Sequence, residues 1–379
     1  MTTTVSPPEL SRFSRAAPFW LSLGLVPIAW IGALNGGWTV FLLPICTWYL
    51  FSLVDAALGM EDANPDPNSD ADLSWYKLIT IIWAPVQAIT LFSIMWYAVR
   101  ADHLAGWEVF FLIANMGIIS GTIGITYAHE LMHQKPKLER WMGDILMAMA
   151  LYSHFRSEHM LVHHRYVATP RDPVTARYNE GFHTFFPRVL HQCFTSAWNA
   201  EKAMLARRDK PVWDLKNPFW RYGALQLGFL ILSFLIAGWI GVLLFVAQAF
   251  IAIWQLELVN YVEHYGLTRK HLGDGKYEHV LPRHSWNSAH KASNWLLINL
   301  QRHSDHHYKP DRRFPLLQTY DKDEAPQLPY GYPVMTMLAM IPPVWRRYMN
   351  PRVRQWRKTY YPEIEDWTPY KTATNPLPR

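Results

Sequence analysis

Cysteine is nearly absent from this chain: Cys46 and Cys193 are the only two among 379 residues. Two cannot form a disulfide framework, and neither stands in a C-x-x-C pair, so the chain holds no zinc ribbon or iron–thiolate centre of its own. Charge is also scarce, at 17%, where soluble domains carry roughly a quarter. Half of the residues are hydrophobic and 15% are aromatic. The mean hydropathy of −0.07 averages two kinds of sequence. Long apolar runs fill the chain up to about residue 128 and again at 218–261, with polar, histidine-rich stretches elsewhere. The net charge of +6 suits contact with anionic lipid or an acidic protein. No nucleic acid is expected as a partner.

The apolar runs come in pairs. Residues 1–16 are polar, with Arg12 and Arg15 just before the run at 17–34. A cleaved signal peptide is set aside because that run is long and a second, 38–58, follows after only Asn35-Gly36-Gly37. The second run carries an unusual Asp55 near its end. A solvated linker, Glu61–Ser74, is rich in Pro, Asn and Asp. The runs 75–99 and 106–128 are joined by Arg100-Ala101-Asp102-His103, and 218–238 and 240–262 meet at Trp239. Each is about long enough to cross ~30 Å of hydrocarbon. The expectation is an all-α integral membrane protein, one domain over 1–379, with six transmembrane helices in three hairpins. The hairpin tips carry one Lys or Arg in total, Arg100. The opposite side carries Arg12, Arg15, Lys77 and the basic segments after residue 134. The positive-inside rule therefore places both termini and the segments 129–217 and 263–379 in the cytoplasm. Leu138–Arg165 is helical by pattern, rich in Met, Leu and Ala. The tail from Pro310 carries a basic run, Arg346 to Lys358, read as a solvated surface, with a docking or headgroup contact as the alternative.

Histidine is the residue that concentrates. His303, His306 and His307 stand at i, i+3 and i+4, spacings that share one helix face. His129-Glu130-Leu131-Met132-His133 begins where the fourth run ends, at the cytoplasmic surface. It is also H-E-x-x-H, the zinc-protease signature, with Glu130 as its general base. Glu158-His159-Met160-Leu161-Val162-His163-His164 pairs His159 with His163 at i+4, while His164 points roughly 100° away and can reach a second metal. His264 ends the sixth run as His129 ends the fourth. Nine imidazoles exceed the three or four that one zinc takes, and a protease would leave seven of them idle. They suit two metals with four or five nitrogens each. A transporter would set its histidines at mid-bilayer, whereas all nine lie at or beyond the cytoplasmic ends. Imidazole suits iron, copper and zinc alike. Polar groups in apolar helices usually face a site. Glu257 and Asn260, on the His264 face, and Glu130, Glu263 and Asp305 are therefore expected to hydrogen-bond the ligand imidazoles and orient them. His154 is a further candidate for such a role.

The clusters H-E-x-x-H, E-H-x-x-x-H-H and L-Q-R-H-S-D-H-H, with N-Y-x-E-H-Y-G at Asn260–Gly266 and P-R-H-S-W-N at Pro282–Asn287, resemble the membrane-bound alkane 1-monooxygenase family. The likeness runs over nearly the whole chain. The three-cluster pattern alone is shared with fatty-acid desaturases and membrane hydroxylases, and the longer motifs also occur in xylene monooxygenases. Met132 and Gln134 stand where the family commonly has Gly and Lys. The resemblance implies a non-haem centre of two iron ions. The matching ligand positions are His129, His133, His159, His163, His164, His264, His303, His306 and His307, with no catalytic residue beyond them. It implies O₂ as co-substrate, and rubredoxin as donor with rubredoxin reductase and NAD(P)H upstream. It implies hydroxylation of the terminal methyl of medium-chain linear alkanes at the bacterial inner membrane. An aryl-methyl hydroxylase or fatty-acyl desaturase or hydroxylase is the alternative. A terminal C–H bond has no polar handle, so acid–base chemistry cannot break it, and terminal selectivity must come from a narrow channel between the spans. Trp48 on the second run is the candidate for its far end.

Overall fold

The computed structural model describes residues 9–67 and 72–371. Residues 1–8 of the polar leader, 68–71 of the linker and 372–379 of the tail lie outside the described residues. In chain order the helices are α1 (Arg12–Asn35), α2 (Gly37–Leu58), α3 (Ser74–Ala98), α4 (Gly106–Met132), α5 (Lys137–Met149), α6 (155–166) and α7 (Phe182–Ala206). Then follow α8 (Phe219–His264), α9 (Lys291–Leu296), α10 (His303–Tyr308), α11 (Tyr332–Ala339) and α12 (Pro342–Tyr360). A two-stranded antiparallel ribbon, His271–Gly273 with Lys276–Tyr277, lies between α8 and α9. Among the described residues, five helices (α1 to α4 and α8) are long and apolar enough to cross a membrane.

The longest of these, α8, is a folded-back pair. Its helical backbone breaks at Ala237 (φ −145°) and Gly238 (φ 60°, ψ −148°), a conformation that glycine adopts without a Cβ clash. A continuous helix would hold residues 229 and 245 about 24 Å apart, yet the rings of Phe229 and Phe245 are 6.3 Å apart. Phe92 of α3 stacks on both. The three turns meet at one end of the bundle. Arg100 donates to the carbonyl of Ile236 at 2.9 Å, and His103 Nε2 lies 3.2 Å from the carbonyl of Ala33. Glu108 accepts from the backbone N–H groups of Gly37 and Ala105. The histidine clusters lie at the other end.

Close approach of α4 and α8 sets the spacing of that end. A Cβ on Gly117 would meet the Gln248 carbonyl oxygen at 2.6 Å, and one on Gly121 would meet the Gln255 amide at 2.9 Å. Small residues four apart allow backbones to pack where no hydrophobic drive exists between helices. Buried amides complete the contact: Gln87 donates to Ser120, Ser120 to Gln248, and Gln248 to the Met149 carbonyl. Inside lipid each such group must find its partner within the protein.

The helical reading of Leu138–Arg165 holds at Lys137–Met149 and 155–166 and fails between them. The chain turns at 150–154, with Leu151 at φ 53°. The turn brings the Tyr152 hydroxyl onto Glu257 at 2.9 Å and sets α6 against the end of α4. Asp55 also finds its explanation: buried, it accepts the backbone N–H of Ser293 at 2.8 Å, tying α2 to α9.

Candidate metal centre

The ends of α4 and α8, all of α6 and the short α10 converge, and their imidazoles form two groups. His129, His133, His159, His164 and His306 make a cage of five; His163, His264, His303 and His307 make a cage of four. Within each, one nitrogen per ring lies within 4.8 Å of every other. The structure thus brings together all nine histidines singled out from the sequence. It divides them differently from the helix-face reading. His306 leaves its neighbours His303 and His307 for the other cage, and His159 separates from His163. The cause of the second division is a π turn over His159–His163. The wider turn brings residues five apart onto one face, so that His159 and His164 Nε2 lie 2.9 Å apart.

Contacts between Nε2 atoms test the fit to a metal. They are 3.0 Å for His133–His159, 3.2 Å for His133–His164 and 3.1 Å for His164–His306. In the other cage they are 3.2 Å for His163–His307, 3.1 Å for His264–His303 and 3.0 Å for His303–His307. With metal–nitrogen bonds of about 2.1 Å, ligands at right angles lie about 3.0 Å apart and tetrahedral ones about 3.4 Å. The observed edges match the right-angled arrangement, so the residues fit ions of five or six ligands better than tetrahedral zinc.

Burial keeps these rings ready to bind. Burial first, and the neighbouring imidazoles second, push His133 down to about 3. The same causes hold His159, His164, His303, His306 and His307 well below the usual histidine range. Neutral rings offer lone pairs without proton competition.

The carboxylates expected to brace the imidazoles behave unequally. Glu263 lies 3.3 Å from His303 Nε2, the nitrogen that faces the cage, and accepts from Tyr332 at 2.8 Å. The other expected partners bond to groups other than the cage imidazoles. Glu130 accepts from Gln134 at 3.0 Å, because the helix turns it away from the rings on either side. Glu257 accepts from Asn260 and Tyr152, partners closer than any ring. Asp305 accepts from Arg312 at 2.6 Å, Tyr320 at 2.7 Å and the Gln318 backbone at 3.0 Å, bracing the loop after α10. His154 packs its ring on Tyr152 and Phe194. The carboxylate that does hold an imidazole was missed from the sequence: Asp172 sits 2.9 Å from His163 Nδ1 and is itself held by Thr175. It stands in a Pro-flanked loop, and only that D-P turn could have drawn attention to it. Glu158, next to His159, was also passed over; it is wholly buried, and burial raises it well above the usual carboxylate range.

A mainly apolar cavity reaches both cages. Its wall includes His129, His159 and His303 of the cages and Thr47 and Trp48 of α2. Its threonines direct their hydroxyls into bonds elsewhere: Thr47 to Leu43, Thr126 to Thr122, Thr336 to Tyr332, and Thr122 to Gln255.

Histidine cages at the ends of apolar helices, opening on an apolar cavity, define a membrane enzyme of the fatty acid desaturase class, and the model of the Fatty acid desaturase family matches residues 105–339. Within that class the chain is similar to alkane 1-monooxygenase 2 of Pseudomonas aeruginosa, 37% identical over 344 residues covering 89% of this chain and 88% of the relative. Against alkane 1-monooxygenase 2 of Alcanivorax borkumensis it is 37% identical over 354 residues, covering 88% and 89%. The hydroxylase component of the xylene/toluene monooxygenase of Pseudomonas putida is 27% identical over 335 residues, covering 87% of each. The chain belongs to the alkane 1-monooxygenases and is a monooxygenase among the oxidoreductases.

Proposed function

We propose that this enzyme hydroxylates the terminal methyl of medium-chain linear alkanes to primary alcohols, consuming O₂ and electrons delivered by rubredoxin, itself reduced by rubredoxin reductase and NAD(P)H. The observation that carries the reading is the mainly apolar cavity lined by Trp48 and by imidazoles of both cages, His129, His159 and His303. An apolar chain has no group to hydrogen-bond, so shape alone must orient it. The wall supplies that: its hydroxyls are already bonded within the protein, and the lining leaves water few partners. Trp48 marks the far end, against which the chain stops.

The nine histidines hold two iron ions, one in each cage, with Asp172 fixing the ring of His163 and Glu263 standing beside His303. When bound, the irons supply the activation of O₂ that an unactivated C–H bond requires. The α8 fold-back makes six crossings in three hairpins. With Arg100 alone among Lys and Arg at the tips, the metal end and the termini face the cytoplasm of a bacterial inner membrane. The hydrocarbon then enters sideways from the bilayer.

Purified protein loaded with iron and given rubredoxin, its reductase, NADH, O₂ and octane is expected to yield 1-octanol, identified by gas chromatography. Benzylic alcohol from xylene with no alcohol from octane would overturn the reading in favour of an aryl-methyl hydroxylase.

A further inference from the structure

The two cages differ in access. Seven of the nine imidazoles are buried; His133 and His164, both in the five-histidine cage, are partly exposed. His133 forms part of the wall of a cleft between the end of α4, α6, the end of α7 and the start of α8. Six side chains lining it are cationic, Lys135, Arg140, Arg156, Arg208, Lys216 and Arg221, and one is acidic, Glu201. Arg156 and Arg221 share Asp144 at the base, at 2.6 and 3.0 Å. Lys135, Arg208 and Lys216 are exposed. Met132, Met160 and Leu161 add an apolar floor, with Met160 38% exposed.

We propose that this cleft is the docking surface for the electron donor, a small acidic one-electron carrier protein. The proposal rests on the monooxygenase reading above. Hydroxylation consumes RH, O₂, two protons and two electrons, and gives ROH and water. The chain has no thiolate cluster to supply those electrons, so two successive donors must each be oxidised by one electron at its surface. A donor seated in the cleft is separated from the five-histidine cage by the single ring of His133. Six cations around an apolar floor complement an acidic face, and such complementarity steers encounter and fixes orientation more than it adds affinity. The other basic surface, on α12, does not offer this path. Its helix packs through Trp345, Met349, Val353 and Trp356, and the four-histidine cage is buried throughout.

The test is charge reversal at the exposed edge, Lys135→Glu with Arg208→Glu, in nanodiscs of neutral phosphatidylcholine with an acidic rubredoxin as probe. The dissociation constant of the rubredoxin complex and the KM for rubredoxin are both expected to rise about tenfold. Their dependence on ionic strength is expected to flatten. Metal content, the KM for octane and turnover driven by dithionite-reduced methyl viologen stay at wild-type values. Lys135→Ala with Arg208→Ala shifts both constants the same way by less. A rubredoxin dissociation constant within twofold of wild type overturns the proposal. So does a larger effect from Arg347→Glu with Lys358→Glu on α12, or an effect seen only with phosphatidylglycerol present, which would make the cleft a lipid-headgroup site. The dissociation constant requires no turnover, so it decides the docking even if octane proves not to be the substrate.

Discussion

The four-histidine cage and the five-histidine cage use the same donor atom and opposite surroundings. In the smaller one every ring is buried, His163 is held by Asp172, and Glu263 stands 3.3 Å from His303. In the larger one His133 and His164 are partly exposed, His133 walls the basic cleft, and the donor set has one ring more. A buried set of four, locked by a carboxylate, loses an essential ligand with any one substitution. A set of five at an accessible edge keeps four when one is lost. The contrast separates a rigid side from a side that exchanges with the outside, though the same cavity touches both.

The comparison is broken most severely by removing one ring from each cage. His303→Ala should abolish alkane oxidation and reduce bound metal by about half, because three nitrogens in a buried site leave an ion short of donors. His133→Ala should keep most of its metal and lose activity by about tenfold. Metal analysis beside product assay reads both; equal metal loss in the two variants would erase the distinction.

Acidification comes next. In the metal-free protein six cage histidines outside the spanning helices are held below their ordinary value by burial and by neighbouring imidazoles: His133, His159, His164, His303, His306 and His307. The unfolded chain takes up their protons near pH 6.5 while the folded chain refuses them. Their contribution to stability is therefore complete above pH 6.5 and falls as the pH drops below it, by up to about 1.4 kcal/mol per pH unit for each ring. Thermal unfolding of the metal-free protein should accordingly move steeply downward between pH 6.5 and 5. A flat profile would mean that the rings are not buried as neutral imidazoles.

Asp172→Asn should cost about 10- to 100-fold in metal affinity or activity, concentrated in the four-histidine cage, with the protein still folded. This residue also shows where sequence reading stops. The apolar runs, the Gly36-Gly37 turn and the nine histidines were legible because hydrophobicity, glycine and ring nitrogens leave compositional marks. The fold-back at Gly238 was anticipated within a residue, from the end of an apolar run. The adjacent pair His163 and His164 divides between the cages, as the 100° between neighbours on a helix allows. That His159 joins His164 and not His163 was not legible, because it depends on the π turn at His159–His163, and a π turn and an α turn have the same composition. The bracing carboxylates were chosen for nearness along the chain. Nearness favoured Glu130 and Asp305, whereas Asp172 reaches His163 from a loop nine residues on, where no helical period connects them.

Asp305→Asn gives the smallest effect on the metal and the sharpest contrast with Asp172→Asn. Both are buried aspartates near ligand histidines, but Asp305 accepts from Arg312, Tyr320 and the Gln318 backbone and from no cage imidazole. Removing its charge weakens the loop after α10, where charge-assisted hydrogen bonds contribute about 1.5 to 3 kcal/mol each. The rings of the two cages are left untouched. The expected result is a lower unfolding temperature, with metal affinity within about threefold of wild type. Since α10 carries His303, His306 and His307, this variant also asks whether the loop holds the helix in place. If metal is lost as readily as in Asp172→Asn, the brace on the loop and the brace on the ring act as one, and the rigid side of the centre extends through α10 to the surface.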